Sequence, residues 1–155
     1  MWFWPALVAG TIADQVSKSL AFGHLGTQYH GIIPNLLGLL TSQNPGGLFG
    51  SMPGKAAMLA VLSVIALGLI IWFLYRSTAA GPWLPVAFGL IGSGAVGNFI
   101  DRIFNDGKVR DFIFFHVGPH DNPIFRWPIF NIADTLICIG CGMLIYAAFT
   151  EKPKK

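Results

Sequence analysis

The sequence predicts an all-α membrane protein, a bundle of four transmembrane helices with outer interfacial segments and room for a small β-cradle. Two observations predict it. The 155-residue chain is 54% hydrophobic and only 11% charged, with a mean hydropathy of +0.61. A soluble domain clothes itself with roughly 25% charged residues, so much of this surface must face hydrocarbon. Apolar runs of spanning length also recur, at 2–22, 56–75, 83–103 and 128–149. About 20 residues at about 1.5 Å rise suffice to cross about 30 Å of hydrocarbon.

The first run is the least apolar, because Asp14 and Lys18 interrupt it. Their spacing, acid first and four residues apart, suits an ion pair on one helical face. The second run carries no charge and ends at Arg76. A short connection then leads into the third run, so these two form a tight antiparallel hairpin. Within the third, Gly89, Ser93 and Gly97 recur every four residues, a small-residue face that lets membrane helices approach closely. Two longer segments, 24–54 and 105–127, lie on the opposite side and are rich in Gly, Pro and aromatics. They read as interfacial structure, with short strands around 35–42. Residues 1–155 form one membrane domain, and no repeat of the kind that builds inverted-repeat transporters is evident.

Composition narrows the function. The net charge of +3 is concentrated in Lys152, Lys154 and Lys155, which suits anionic headgroups and leaves no basic stripe for nucleic acid. Cys138 and Cys141 form a C-x-x-C inside an apolar run and read as packing residues. The start of the chain, with Trp2, Phe3 and Trp4 in place of a basic region, does not read as a cleavable signal peptide. Arg76 and the lysine tail share a side, while Lys55, Lys108, Arg110 and Arg126 lie opposite. The density of the tail favours an arrangement with both termini cytoplasmic.

Carboxylates carry the functional signal. Asp14, Asp101 and Asp134 fall within or at the ends of spans, and Asp111 lies shortly beyond one. Such groups normally face the bundle or a wet cavity. Asn98, Asp101 and Arg102 stand at i, i+3 and i+4, and Asn131 and Asp134 at i and i+3, so each set can project from one helical face. Two aspartates from different segments, with Asn and Arg at their level, are the parts of an aspartic protease. Close carboxylates cannot both ionise cheaply, so one holds a proton while the other activates water.

Other chemistries fit less well. There is no H-E-x-x-H zinc motif, and the four histidines lie outside the spans, which leaves Ser93 without a base. Ser51 and Lys55 have dyad spacing, but Pro53 lies between them and opposes a helix there.

Five blocks, in order, resemble one family. They are Asp14-Gln15-Val16-Ser17-Lys18 (D-x-x-[ST]-K), Asn44-Pro45-Gly46-Gly47-Leu48-Phe49 (N-x-G-x-x-F), the stretch from Gly94 to Arg102 (G-x-x-G-N-x-x-D-R), Val109-Arg110-Asp111-Phe112 (V-x-D-F) and Phe130-Asn131-Ile132-Ala133-Asp134 (F-N-x-A-D). This pattern resembles lipoprotein signal peptidase, also called signal peptidase II. The resemblance implies that Asp111 and Asp134 are the catalytic pair and that Asn98, Arg102 and Asn131 line the site. It implies a structural and substrate-positioning role for Asp14 and Lys18, a cradle for substrate at Asn44 and Gly46, and a supporting role for Asp101. It further implies cleavage of prolipoproteins before a diacylglyceryl-modified cysteine, no metal or other cofactor, inhibition by globomycin, and residence in the bacterial cytoplasmic membrane with the site toward the outer face. Ser93, Leu48 and Arg110 depart from the residues common in the family, and Arg110 is expected to point to the headgroups. Two rivals remain from the residues alone: a small proton- or cation-coupled transporter using the intramembrane aspartates, and an assembly factor using them as helix glue.

Overall fold

The computed structural model describes residues 2–46, 55–76 and 81–150. The lysine tail, Ser51, Pro53 and the Gly47-Leu48-Phe49 end of the second block lie outside the described residues. Those described form helices α1 (Phe3–His24), α2 (Ala56–Arg76), α3 (Trp83–Phe104) and α4 (Ile132–Thr150). Between them run strands β1 (His30–Ile33), β2 (Leu37–Asn44), β3 (Val109–Val117) and β4 (Phe125–Arg126). Three of the helices, α2, α3 and α4, are long and apolar enough to cross a membrane. Helix α1 has 22 residues, length enough to span, and buries the two charges that lower its hydropathy.

Helix α3 is the centre of the bundle, packing against each of the other three. The small-residue face explains how. A side chain at Gly89 would meet the Phe3 carbonyl and the Ala6 methyl, each at 2.7 Å, and one at Gly97 would collide with the Asp14 carboxylate. Gly10 of α1 lies against Ser93 in the same seam. A second seam joins α3 to α4, where Gly94 abuts the Ala133 carbonyl and Gly140 sits 2.6 Å, by the same measure, from the Ala87 carbonyl. Dispersion and close backbone approach, rather than water exclusion, hold such helices together in lipid. Large apolar side chains such as Val61, Val64, Leu69 and Ile145 are correspondingly exposed on the outside. So are Cys138 and Cys141, both free thiols. They do not pack inside the bundle as expected, because α4 turns their face outward.

Both outer segments contribute to one antiparallel sheet of order β1-β2-β3-β4, larger than the short strands expected around 35–42. The pairing of β2 with β3 runs Leu39 opposite Ile113 and then Ser42 opposite Asp111. Two β2 residues therefore face one on β3, a β-bulge immediately beside Asp111. Bulges of this kind re-aim side chains next to functional sites. Phe130, just ahead of α4, bridges to Ile113, and its carbonyl accepts the backbone N–H groups of Phe112 and Ile113 at 3.0 and 2.8 Å. The sheet is thus tied to the start of α4 one residue past Asp111.

A Gly94→Ala substitution drives a methyl into the Ala133 carbonyl, a backbone group that cannot swing aside. It should destabilise by about 1–3 kcal/mol, the usual cost of overpacking, seen as a lower melting midpoint in detergent. Gly23→Ala, where nothing lies within 4 Å of the added methyl, should leave the midpoint unchanged.

Candidate active site

The fifth block folds as a reciprocal cap on α4. The Asn131 side-chain oxygen accepts the Asp134 backbone N–H at 3.0 Å, and the Asp134 carboxylate accepts the Asn131 N–H at a longer 3.4 Å. Three residues apart at a helix start, the two satisfy donors that the helix itself cannot. The Asn131 amide is then free to donate sideways, to Asp111 at 2.6 Å and to the Asn98 side-chain oxygen at 3.1 Å. Asn98, from α3, donates to the other oxygen of Asp134 at 2.9 Å. One asparagine therefore touches both aspartates.

Behind this pair lies a buried ion cluster. Lys18 is fully buried and pairs with Asp14 at 2.8 Å and with Asp101 at 3.1 Å, and it donates to Asn98 at 3.0 Å. The second oxygen of Asp14 accepts the Ala133 backbone N–H at 2.9 Å, so a carboxylate from α1 caps α4 across the bundle. Arg110 completes the cluster by pairing with Asp101 at 2.7 Å. Two acids and two cations balance where neither sign could stand alone.

Asp111 hangs from β3 and is almost wholly buried. Besides Asn131 it accepts from the Asn44 amide at 3.1 Å. Asn44 is held in turn by the Gly46 backbone N–H, which donates to its side-chain oxygen at 3.0 Å. Burial, and next the negative charge of Asp134, push the Asp111 carboxyl up to about 7, against the opposing pull of Asn44, Asn131 and Lys18. Near neutral pH it can therefore hold a proton. Asp134 is only partly buried. Arg102 donates to the Asn98 carbonyl at 3.1 Å, and its buried Nε makes no hydrogen bond among the described residues. A protonated carboxyl and a partly buried second carboxylate, with amides fixing both, are groups able to deliver and accept protons.

Asp14, Lys18, Asn44, Gly46, Asn98, Asp101, Asp111, Asn131 and Asp134 meet in this one hydrogen-bonded region, and Arg102 joins it through Asn98. Arg110 is the correction. It turns into the bundle toward Asp101 and Gln15 and not to the headgroups, because the buried acids need a second cation. Gln15 is the residue that sequence reasoning missed, standing at an unspecified position of the first block. Being neutral, Gln15 gave no charge signal; charge arithmetic bears only on the inward turn of Arg110, since Asp14 and Asp101 outnumber Lys18. His116 was also missed as a buried group. It is fully buried and bonded to the Tyr29 hydroxyl at 2.9 Å, beside a cavity of about 380 Å³ toward the far end of β3 from Asp111.

A Lys18→Met variant leaves Asp14 and Asp101 buried with one cation between them. Removing one partner of a buried ion pair typically costs about 3–5 kcal/mol. The variant should unfold at a clearly lower temperature in detergent, as followed by circular dichroism.

Comparison with known proteins gives the family. The family described as Signal peptidase (SPase) II matches residues 6–150. The lipoprotein signal peptidase of Chlorobaculum tepidum is 36% identical over 157 residues, spanning 97% of this chain and 94% of its own. That of Aquifex aeolicus is 39% identical over 147 residues, spanning 92% and 82%. A bacterial membrane enzyme solved by the in meso method at 2.3 Å resolution superposes with a TM-score of 0.82 at 30% identity, over 99% of this chain and 93% of the other. These relatives lend no support to a transport role for the aspartates. The chain belongs to the signal peptidase II family, and is a multi-pass aspartic endopeptidase of the bacterial inner membrane.

Proposed function

We propose that this protein, as a single membrane domain, removes signal peptides from diacylglyceryl-modified prolipoproteins by cleaving before the lipidated cysteine, with Asp111 and Asp134 as the catalytic pair. The observation that supports this most is the shared contact of Asn131 with both carboxylates. Asp111 carries the proton and hydrogen-bonds the scissile carbonyl. Asp134 sits in the first turn of α4, where the helix dipole favours negative charge. It takes a proton from the attacking water and returns it to the leaving amine. The unengaged Nε of Arg102 offers a donor to a substrate carbonyl. Asn44 and Gly46, at the end of β2, cradle the peptide near the cysteine.

The lipid explains why such chemistry belongs in a bundle. Each buried methylene is worth about 0.8 kcal/mol, so a diacylglyceryl cysteine cannot leave the bilayer and the protease must meet it there. The site lies at the end of the bundle that carries the sheet. The arrangement favoured by the distribution of basic residues puts Arg76 in the cytoplasm and this end toward the outer face. Globomycin sensitivity follows from the same site.

The test is cleavage of a diacylglyceryl-cysteine prolipoprotein peptide by the purified protein in detergent with EDTA present. Asp111→Asn and Asp134→Asn should each lower turnover by at least about 10²-fold, the lower end of what a positioned acid or base contributes, with melting midpoints close to the parent. Turnover retained in either variant rejects the dyad.

The pH profile gives a second test. A proton on Asp111, whose carboxyl is raised to about 7, is needed for the carbonyl hydrogen bond. Activity should therefore hold below about pH 7 on its basic side and fall as pH rises through it, toward tenfold per unit. A profile flat to pH 9 would show that Asp111 is not the acid.

A further inference from the structure

Asn131 and the Phe130 carbonyl tie the Asp111 stretch of β3 to the start of α4. A second tie, to α1 and α3, comes from the residue immediately before Asp111. The Arg110 backbone N–H donates to Asp101 Oδ2 at 2.8 Å. Its Nε and Nη2 both donate to Asp101 Oδ1, at 3.1 and 2.7 Å, and Nη2 also reaches Gln15 Oε1 at 2.9 Å. The Gln15 amide reaches α3 by donating to the Gly97 carbonyl at 3.0 Å, and it also donates to its α1 neighbour Asp14 at 3.1 Å. Three elements, α1, α3 and β3, are therefore joined at the position immediately before Asp111. Successive strand residues point to opposite faces, so the guanidinium acts behind the catalytic carboxyl and does not touch it.

Helix α3 holds the other half of the dyad as well. Asn98 bonds Asp134, and Asp101, three residues on and on the same face, bonds Arg110. One turn of α3 thus references both aspartates. We propose that Arg110 is a positioning residue for the peptidase reaction, and that with Gln15 it clamps β3 to α3 so that Asp111 stays in register with Asp134. The clamp rests on the reading of Asp111 and Asp134 as the catalytic pair. It needs a planar fork of donors, which arginine has and lysine lacks.

The experiment is steady-state cleavage of the diacylglyceryl-cysteine peptide by Arg110→Val, Arg110→Lys and Gln15→Leu, beside Asp111→Asn. Rates are expressed per folded molecule, with the folded fraction taken from circular dichroism. A misplacement of about 1 Å can cost about 10²-fold in rate. Arg110→Val should lose about that much in kcat with KM within about twofold, because the substrate contacts are elsewhere. Arg110→Lys keeps the charge but loses the second, Nε bond to Asp101 and the planar fork that fixes the direction of Nη2, and should lose about tenfold. Gln15→Leu should lose less, again in kcat. A purely structural role would lower the melting midpoint while leaving kcat per folded molecule at the parent value. That result, or a loss confined to KM, overturns the inference. If Arg110→Val does not fold, Arg110→Lys decides on the same criteria. Turnover retained by Asp111→Asn would overturn the dyad itself. A dead Asp111→Asn beside Arg110 variants of normal kcat overturns the clamp alone.

Discussion

The rest of the structure depends on the buried ion cluster at the centre of the bundle. A lone charge within the bilayer costs at least a few kcal/mol even by the gentlest scale. Asp14 and Asp101 are tolerated because Lys18 and Arg110 meet them at 2.7 to 3.1 Å. Compensation alone could have been met more simply by apolar residues, which often replace buried ion pairs without loss of stability. What the cluster adds is connection. Asp14 spends one oxygen on Lys18 and the other on the Ala133 N–H of α4, while Lys18 reaches on to Asn98. Three helices are fixed relative to one another by groups that have no alternative partner in lipid.

Such short polar contacts require close backbones, and the glycines of α3 supply the space. Gly97 packs directly against the carboxylate of Asp14, and Gly94 against the first turn of α4. A larger residue at either position would separate the helices by more than a hydrogen bond tolerates. The apolar seam and the polar cluster are therefore one device. The seam sets the distance and the cluster sets the rotation and register.

The two aspartates differ in their surroundings because of where they are mounted. Asp134 is on a helix, locked by a reciprocal cap, and remains partly open. Asp111 is on a strand beside a bulge, almost wholly buried, with both oxygens occupied by amides from Asn44 and Asn131. Burial beside a second carboxylate favours its neutral form.

Much of this was legible in the chain itself. The hydrocarbon-facing composition, the spanning lengths, the glycine face of α3 and the helical spacings of Asn98 with Asp101 and of Asn131 with Asp134 are local properties, fixed by rise and periodicity. The five blocks likewise marked the residues that meet. The extent of the sheet was less legible, because the pairing of β2 with β3 that unites its two halves joins segments about 70 residues apart in sequence, and pairing register is not encoded locally. The orientation of Arg110 was not legible at all. It was expected at the headgroups, and only the packing of α1, α3 and β3 placed Asp101 and Gln15 within its reach. The sequence by itself determined which residues are apolar, which are charged and which face of each helix they share. Tertiary structure decided which charges meet, because a buried ion chooses its partner by proximity in space and by the absence of water.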